Sequence, residues 1–444
     1  MSPTMLDPLD PASAHGTAGD SPAPAAAPGD VSPDAIPGSP QPRVFLPFFV
    51  LAWFGLSLAL SIIGGGSIPK VFAFLDDATK GVNLSIVAAV GGVVVIVITP
   101  LFGRLSDRTM SRLGMRRPWI LGGALAGLVG VGVLAFSSTL WQVIIGWAIV
   151  QAGFGATNAA VHALLADQIP MRIRARVSAA ASAANALALI IGALMIAALP
   201  NDAQWSWFIV PGVIGAVLSG LLFFGLRDIV RTERPAPWSW RDVLSTYWLN
   251  PVRYRNFFWA WACRLLVTMS IFTVTTYLLF YIIDRMGVPK EQASGTFATG
   301  IVCFTAASIV TTILFGWLSD RTGRRKAIVW VSALLSAAGL TVAVFAPDLT
   351  TLLIALTLVG AAQGAFVSVD IAMMTEVLPT FTEAGKDLGI VSLSYQVPQV
   401  LVPVLAIPLL AIGGGGENYT ALFIAAIVCG VLGGLAVLPI RGVK

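Results

Sequence analysis

Charged side chains are scarce in this sequence of 444 residues, in which Asp, Glu, Lys and Arg together make up 11%. Soluble globular domains carry roughly 25% charged residues, so this composition does not provide a water-solvated surface. Apolar residues make up 57% of the chain, which predicts that lipid solvates it. The net charge of +5 belongs to the loops of such a protein, and we expect no nucleic-acid partner.

Side chains that carry catalytic or metal chemistry are equally sparse. The three cysteines, Cys263, Cys303 and Cys429, fall in apolar segments, where we expect packing residues and neither a disulfide nor a metal framework. The sequence contains no cluster of metal ligands, no nucleotide-binding loop and no catalytic triad. These absences argue against an enzyme, and we expect no metal or other cofactor.

Long apolar segments are what the chain has in abundance. Stretches of about 20 apolar residues recur, the length that an α-helix needs to cross a hydrocarbon core of ~30 Å. The sequence predicts an all-α membrane protein with twelve transmembrane helices at 44–66, 84–104, 117–136, 141–166, 176–200, 206–226, 256–283, 295–317, 326–346, 350–376, 386–410 and 418–440.

The basic residues predict the orientation, because cytoplasmic loops retain Lys and Arg. Placing the N-terminus in the cytoplasm puts 22 of the 27 Lys and Arg residues on that side. Lys70, Lys80, Arg285 and Lys290 then lie outside, and Arg264 falls within a span. We therefore expect a multi-pass protein of the plasma (inner) membrane with both termini in the cytoplasm.

Two signatures occur twice along the chain. Gly-x-Leu-Ser-Asp-Arg-Thr spans 103–109 and returns at 316–322, and ALLADQIP at 163–170 aligns with AMMTEVLP at 372–379. The two offsets, 213 and 209 residues, are nearly equal. The repeat predicts two related, pseudo-symmetric bundles of six helices.

The composition predicts where these bundles begin and end. Residues 1–42 are rich in Pro, Ala, Gly, Ser and Asp and contain no apolar run, which is typical of a disordered tail. We expect the first bundle at 43–226, a polar cytoplasmic linker at 227–255, and the second bundle at 256–444.

After residue 42 the chain resembles the major facilitator superfamily. Two bundles joined by a central loop, with Gly-x-Leu-Ser-Asp-Arg between helices 2 and 3 and again between helices 8 and 9, are that superfamily's arrangement. The resemblance implies alternating access, in which the bundles rock about a site near the membrane midplane that faces each side in turn.

A finer resemblance is to the glycoside and sucrose symporter branch, whose first loop reads like SDRxxSRxGRRRPxI. This chain has SDRTMSRLGMRRPWI at 106–120, with Met115 in place of one Arg, and ALLAD at 163–167 resembles the end of helix 4 in plant sucrose symporters. The resemblance implies a sugar or glycoside carrier coupled to a cation. In those plant proteins a carboxylate in helix 4 accepts the transported proton, and Gln151 stands at the matching position here. Because an amide cannot take up a proton in this way, either another group carries protons or the carrier is not proton-driven.

Ionisable side chains within spans are costly and are often functional. Arg264 in helix 7 and Asp370 in helix 10 lie roughly 12 and 9 Å from the cytoplasmic ends of their helices, given a rise of about 1.5 Å per residue. We expect them to pair, either as a switchable coupling bridge or as a permanent tie between the two helices. His162 of helix 4 is a candidate proton carrier or a hydrogen-bonded packing residue.

Polar side chains share faces on helices 1, 4, 5, 7, 10 and 11. Hydroxyls, amides and an aromatic plate suit a neutral polyol, although small polar residues are also common at helix contacts in membranes. The predicted solute-binding residues are Trp53, Ser57, Gln151, Asn158, Asn185, Thr268, Gln363, Gln396 and Gln399. Tyr277 and Tyr281 are candidates for the outer entrance or for interface anchors.

The repeated signature supplies candidate gate residues, Asp107 and Arg108 in the first copy and Asp320 and Arg321 in the second. The superfamily resemblance implies that they hold the cytoplasmic side shut when the carrier faces outward. Retention of loops in the cytoplasm by positive charge is the alternative, but the two aspartates would contribute nothing to it.

Three functions are compatible with such a fold. We predict a sugar or glycoside carrier coupled to protons or sodium. Its expected partners are the bilayer, the solute and the cation. We expect the carrier to be a monomer. A proton-coupled exporter of lipophilic compounds is the alternative, but the basic residue often found early in helix 4 of such exporters is missing near Ile149 and Gln151. A nutrient sensor would need a large folded cytoplasmic domain, which residues 1–42 do not supply.

Overall fold

The computed structural model describes residues 41–75, 79–231, 254–376, 384–413 and 418–440. Nearly all of the predicted tail and most of the predicted linker lie outside these ranges. Twelve helices in the described residues are long and apolar enough to cross a membrane, and no strand occurs among them, which confirms the predicted all-α fold.

The twelve helices follow one another in the order that the apolar segments predict. In chain order they are α1 (Phe45–Leu75), α2 (Lys80–Asp107), α3 (Arg117–Ala135), α4 (Leu140–Asp167), α5 (Met171–Ala198), α6 (Gln204–Gly225), α7 (Arg255–Arg285), α8 (Lys290–Thr322), α9 (Arg325–Val344), α10 (Leu349–Met374), α11 (Ile390–Ala411) and α12 (Tyr419–Ala436).

Several helices are longer than the apolar segments that predict them. Both α5 and α8 begin five residues before their predicted spans, directly after Pro170 and Pro289. Each proline has φ −54° and ψ 141°, an extended conformation that places it just outside the helix. Polar first turns therefore belong to these helices, although a hydrophobicity pattern does not include them.

The connection between α1 and α2 is shorter than predicted. Residues Ile63–Ser67, with sequence IGGGS, form a π-helical turn, and the helix then continues through Ile68–Leu75. The predicted loop position of Lys70 and Lys80 was therefore wrong, since both lie in helices and are buried. The Nζ of Lys70 lies 4.4 Å from the ring centroid of Trp207, which shields the charge from apolar neighbours.

Helix α11 has a different interruption. Helical residues Ala384–Gln396 are followed by a second stretch, Pro398–Ala411, with Val397 between them. Pro398 has no backbone N–H to donate, so the hydrogen-bond ladder is incomplete at this point. The break leaves Gln396 at the end of the first stretch, in the middle of the membrane-spanning region.

Helix packing divides between two sets of helices, which we call the first half (α1–α6) and the second half (α7–α12). In the first half α1 packs on α5 and α6, α3 on α4 and α6, and α2 on α4. In the second half α10 packs on α8 and α9, and α12 on α7 and α9. Between the halves, α2 packs on α11 and α5 on α8.

Successive spanning helices alternate in direction, so the molecule has two faces. We call the face with the start of α1 and the end of α12 the terminal face. The opposite face, with the α1–α2, α7–α8 and α11–α12 connections, is the distal face.

Glycines permit the close crossing of α3 and α4. A Cβ atom at Gly153 would overlap the backbone nitrogen of Gly127 and would lie 2.8 Å from the carbonyl oxygen of Gly123. Small residues let helix backbones approach in a membrane, where packing rather than hydrophobic burial drives association.

We expect Gly153→Ala to destabilise the folded protein by about 1–3 kcal/mol, because the added methyl group must push apart two helix backbones. Gly132→Ala is the matched control on α3, since a Cβ there meets nothing within 4 Å. The control should unfold at the wild-type temperature or slightly above it. Thermal unfolding of the purified variants in detergent measures the difference, and equal behaviour of the two would contradict the close crossing.

Candidate functional site

A buried ion pair joins the two halves at the distal face. The Nζ of Lys80, the first residue of α2, lies 2.5 Å from Oδ1 of Asp284 near the end of α7. The two side chains are 4% and 7% exposed. Tyr419, the first residue of α12, donates its hydroxyl to the other carboxylate oxygen at 2.6 Å. We call Lys80, Asp284 and Tyr419 the distal clasp.

Contact between the halves continues inward from the distal clasp. The hydroxyls of Ser85 and Tyr277 are 2.6 Å apart, and both side chains are buried. Farther along α2, a Cβ at Gly92 would lie 2.8 Å from the backbone of Gln399 in α11. The halves are therefore in close contact from the distal face to about the middle of α2.

Polar side chains of the first half become more accessible away from this contact. On α4, Gln151 is 8% exposed, Asn158 is half-buried and His162 is exposed, in order toward the terminal face. On α1, Trp53 and Ser57 are half-buried. A polar face that water reaches within the span cannot face lipid, which would leave its groups without hydrogen bonds.

Trp53 and His162 lie against each other. Their ring centroids are 4.0 Å apart and the ring planes are inclined by 29°, so the two rings stack between α1 and α4. The exposed imidazole and the indole form an aromatic plate on the first half. The structure thus places a predicted solute-binding residue beside a predicted coupling residue.

Arg264 and Asp370 meet, as their depths in the sequence predict. Nη1 of Arg264 lies 3.2 Å from Oδ2 of Asp370, with the side chains 18% and 7% exposed. Within the described part of the chain, the other carboxylate oxygen of Asp370 has no hydrogen-bond partner. Gln363, seven residues earlier on the same face of α10, also has a buried carbonyl oxygen without a partner there.

The remaining predicted solute-binding residues have different surroundings. Asn185 is exposed on α5, and Thr268 is half-buried one turn after Arg264. Gln396 is almost fully buried at the break in α11. Gln399 is half-buried and lies at the contact between α2 and α11.

At the terminal face, the first signature forms a cluster inside the first half. Arg116 is buried and pairs with Asp107 and with Asp167, whose Oδ2 is 2.8 Å from Nη2. The carboxylate of Asp228 accepts the backbone N–H groups of Arg116 at 2.5 Å and Arg117 at 2.8 Å. Burial raises the pKa of Asp228, and these hydrogen bonds oppose the shift.

One glycine of this loop has a conformational role. Gly114 has φ 105°, which side chains rarely adopt, and a Cβ there would collide with Asp228. The glycine in SRLGMRRP therefore lets the loop fold over the carboxylate that receives its backbone hydrogen bonds.

The second signature is more open than the first. Asp320 and Arg321 are exposed, and the guanidinium of Arg321 lies 5.3 Å from the ring centroid of Trp317. Arg108 of the first signature is half-buried. The two copies of one motif thus have different environments in this conformation.

The sequence did not single out the distal clasp. Lys80 and Asp284 lie just outside the predicted spans 84–104 and 256–283, where charged residues are ordinarily solvated, so nothing in the local pattern marked them. Tyr277 and Tyr281 were candidates for the entrance or for the interface, but both are buried. Tyr281 donates its hydroxyl to the carbonyl oxygen of Ala343 at 2.5 Å.

Comparison with known proteins places the fold. The family model of the Major Facilitator Superfamily matches residues 44–304 and 293–443. The chain belongs to this superfamily of membrane transporters. Its architecture is similar to that of a bacterial homologue of the human lysosomal transporter Spinster, in an inward-facing and occupied conformation, with a TM-score of 0.68 and 12% identity over 91% of this chain and 98% of that chain.

Curated relatives have diverse names. The shikimate transporter of Escherichia coli is 25% identical over 387 residues, which cover 81% of this chain and 83% of that protein. The class H tetracycline resistance protein of Pasteurella multocida is 27% identical over 183 residues, or 40% of this chain. The match spans only 44% of that relative's length.

Removing one partner of the Arg264–Asp370 pair should be more harmful than removing both. Arg264→Gln or Asp370→Asn alone leaves a buried charge unpaired, which costs about 3–5 kcal/mol in other buried pairs. The double variant should recover the yield of folded protein in the membrane. Additive losses in the double variant would show that the two residues do not support each other.

A second expectation concerns access to the polar face of α1. In a variant without the three native cysteines, Ser61→Cys should react with a membrane-impermeant thiol reagent, because Ser61 is exposed on the face that Trp53 and Ser57 share. Ala59→Cys is the control, since Ala59 is fully buried two residues away. Equal rates at the two positions would contradict a water-accessible face.

Proposed function

We propose that this protein is a secondary active transporter that moves a small polar solute by alternating access between two six-helix bundles, 43–226 and 256–444, joined by the linker 227–255. The observation that carries the proposal is the distal clasp, a buried ionic contact between the halves at one face of the membrane. A carrier needs contacts of this kind, which close one side of the solute site while the other side is accessible.

The bias of Lys and Arg supports the orientation of this carrier. It assigns the terminal face to the cytoplasm of a cell whose plasma (inner) membrane holds the protein. Close contact at the distal face and accessible polar residues toward the terminal face then correspond to an inward-facing conformation. We expect the transporter to work as a monomer.

The accessible side chains favour a sugar or glycoside over a lipophilic compound. Amides and hydroxyls of α1, α4, α5 and α7 match a solute with many hydroxyl groups, and the Trp53–His162 plate can pack on its C–H face. Some relatives are metabolite transporters by name, and others are drug resistance proteins. Export of lipophilic compounds therefore stands as the second candidate function.

Coupling to a cation rests on groups that lie within the spans. We propose that the Arg264–Asp370 pair, with His162 as a further candidate, links proton or sodium movement to solute movement. We propose that Asp370 takes the role of the helix 4 carboxylate for which Gln151 stands here, because its Oδ1, without a partner among the described residues, offers a place for a proton or a metal cation.

We propose that the gate residues close the terminal side of the carrier. Asp107 now pairs with Arg116 of its own half, so it is engaged within the first half in this conformation. We propose that Asp107 and Arg108, with Asp320 and Arg321, contact the opposite half when the distal side opens. The exposed Asp320 and Arg321 are available for such contacts.

Transport itself is testable with purified protein in liposomes. Labelled sugars and glycosides are offered with and without imposed proton or sodium gradients, and accumulation above the equilibrium level should require one of the two gradients. Accumulation of lipophilic dyes without any sugar transport would favour the exporter.

The distal clasp generates a conformational prediction. Lys80→Gln should shift the population toward the outward-facing state, because Asp284 then loses its charged partner between the halves. Spin labels at the exposed positions Trp141 and Phe345 report the width of the distal side.

Arg285→Gln is the matched control, since Arg285 is exposed and adjacent to Asp284. The control should keep the wild-type distance distribution. If Lys80→Gln also keeps it, the clasp does not contribute to closure.

A further inference from the structure

The guanidinium of Arg264 is the more accessible member of its ion pair. Its side chain is 18% exposed, whereas that of Asp370 is 7% exposed. The arginine therefore lies nearer to water, and the carboxylate lies behind it against the helices. A solute that reached this point would meet a positive charge first.

Asp370 leaves most of the guanidinium unused. An arginine has five N–H donors in a planar fork, and strong pairs with carboxylates are bidentate with N–O distances of about 2.7–2.9 Å. Here a single nitrogen, Nη1, approaches a single oxygen at 3.2 Å. Within the described residues Arg264 has no other ion-pair partner, so its remaining donors are available to a ligand.

The pair is also poorly satisfied for a permanent tie between helices. A buried ion pair recovers its desolvation cost only with further hydrogen bonds to the remaining lone pairs and protons. In the described part of the chain, Oδ1 of Asp370 and Oε1 of Gln363 have no partner. An unpartnered carboxylate oxygen beside an underused cation, with a second unpartnered acceptor two turns away on the same face of α10, is what a site for a hydroxylated anion would leave when empty.

Side chains on α1, α7 and α11 are candidates for the rest of such a site. Thr268 is half-buried one turn along α7. Tyr395 of α11 is 56% exposed. Trp53 lies eight residues into α1 and Arg264 nine residues into α7, so both are roughly 12–14 Å from the terminal face.

We propose that the transported solute carries a carboxylate, which binds the guanidinium of Arg264, on a hydroxylated ring that packs against Trp53 and His162. This proposal rests on the proposed transport function and narrows its solute class from a neutral sugar to a sugar acid or a similar cyclic hydroxy acid. Asp370 occupies one edge of the guanidinium when the site is empty, and the solute carboxylate takes the free donors.

Acetate provides a test that does not require the natural solute. In Asp370→Ala the arginine has lost its carboxylate, and the vacated space opens beside the accessible Arg264. Sodium acetate should raise the unfolding temperature of purified Asp370→Ala by several degrees, whereas sodium chloride and acetamide at the same concentration should not. The double variant Arg264→Gln/Asp370→Ala should show no response to acetate. Asp370→Asn serves in the same assay if the alanine variant does not fold.

An acetate response equal to that of chloride, or one retained without Arg264, would overturn the carboxylate site. A permanent tie that water does not reach would give that result. Arg172→Gln is the matched charge control, because Arg172 is exposed in the first turn of α5. In the Asp370→Ala background this variant should keep the acetate response.

Matched pairs of solutes test the class in proteoliposomes. Glucuronate and glucose differ at one carbon, as do cyclohexanecarboxylate and cyclohexylmethanol. In at least one pair, the acid should inhibit uptake of the labelled sugars and glycosides at a concentration at least about tenfold lower than its neutral partner does. This ratio corresponds to about 1.4 kcal/mol. Arg264→Lys should reduce that preference, because an ammonium group does not form the bidentate contact.

The outcomes separate this proposal from the proposed function. If a gradient drives the transport of neutral sugars, acids are not preferred and acetate gives no response, then the proposed function stands and the carboxylate site is contradicted. Acetate stabilisation through Arg264 in a protein that shows no gradient-driven transport would leave an anion site without the proposed function.

Discussion

The ionic contact between Lys80 and Asp284 joins the two halves at the distal face, and every other feature is seen with this contact formed. Each charge is buried, and each belongs to a different half of the molecule. Neither charge is stable in an apolar environment without the other. In the proposed transport cycle, opening of the distal side would expose both charges to water, so the contact favours closure without preventing opening. Tyr419 belongs to the second half, as Asp284 does, so its hydrogen bond fixes the carboxylate within that half and does not itself join the halves.

The second ion pair has a different mechanical role, because both of its members belong to the second half. Rocking of the halves need not separate Arg264 from Asp370, whereas it must separate Lys80 from Asp284. The Arg264–Asp370 pair can therefore respond to a ligand or a cation at constant helix packing, whereas the Lys80–Asp284 pair responds to separation of the halves.

The sequence predicted the features of this structure that follow from hydrophobicity and from the cost of burying a charge. Apolar segments of about 20 residues predict helices, because lipid admits only helices and closed barrels and a barrel strand is about half that length. The similar depths of Arg264 and Asp370 predicted their contact because an isolated charge in a span is costly. Lys70 and Lys80 were placed in a loop instead, because a hydrophobicity pattern cannot tell a lysine that ends a helix in water from one that an aromatic ring or a carboxylate of another helix covers.

The same limit explains why solute-binding residues are harder to predict than the fold. Gln151, Asn158 and His162 lie along one face of α4, yet their exposure rises with distance from the close contact of the halves at the distal face. The exposure of a side chain within a span thus depends on how the two halves are arranged. That arrangement is a property of the conformation. Arg264 is informative in spite of this, because a guanidinium keeps its charge in either state and must have a partner in both. The partner can be Asp370 or a solute, and we propose a solute as the second partner because the guanidinium is more exposed than the carboxylate beside it.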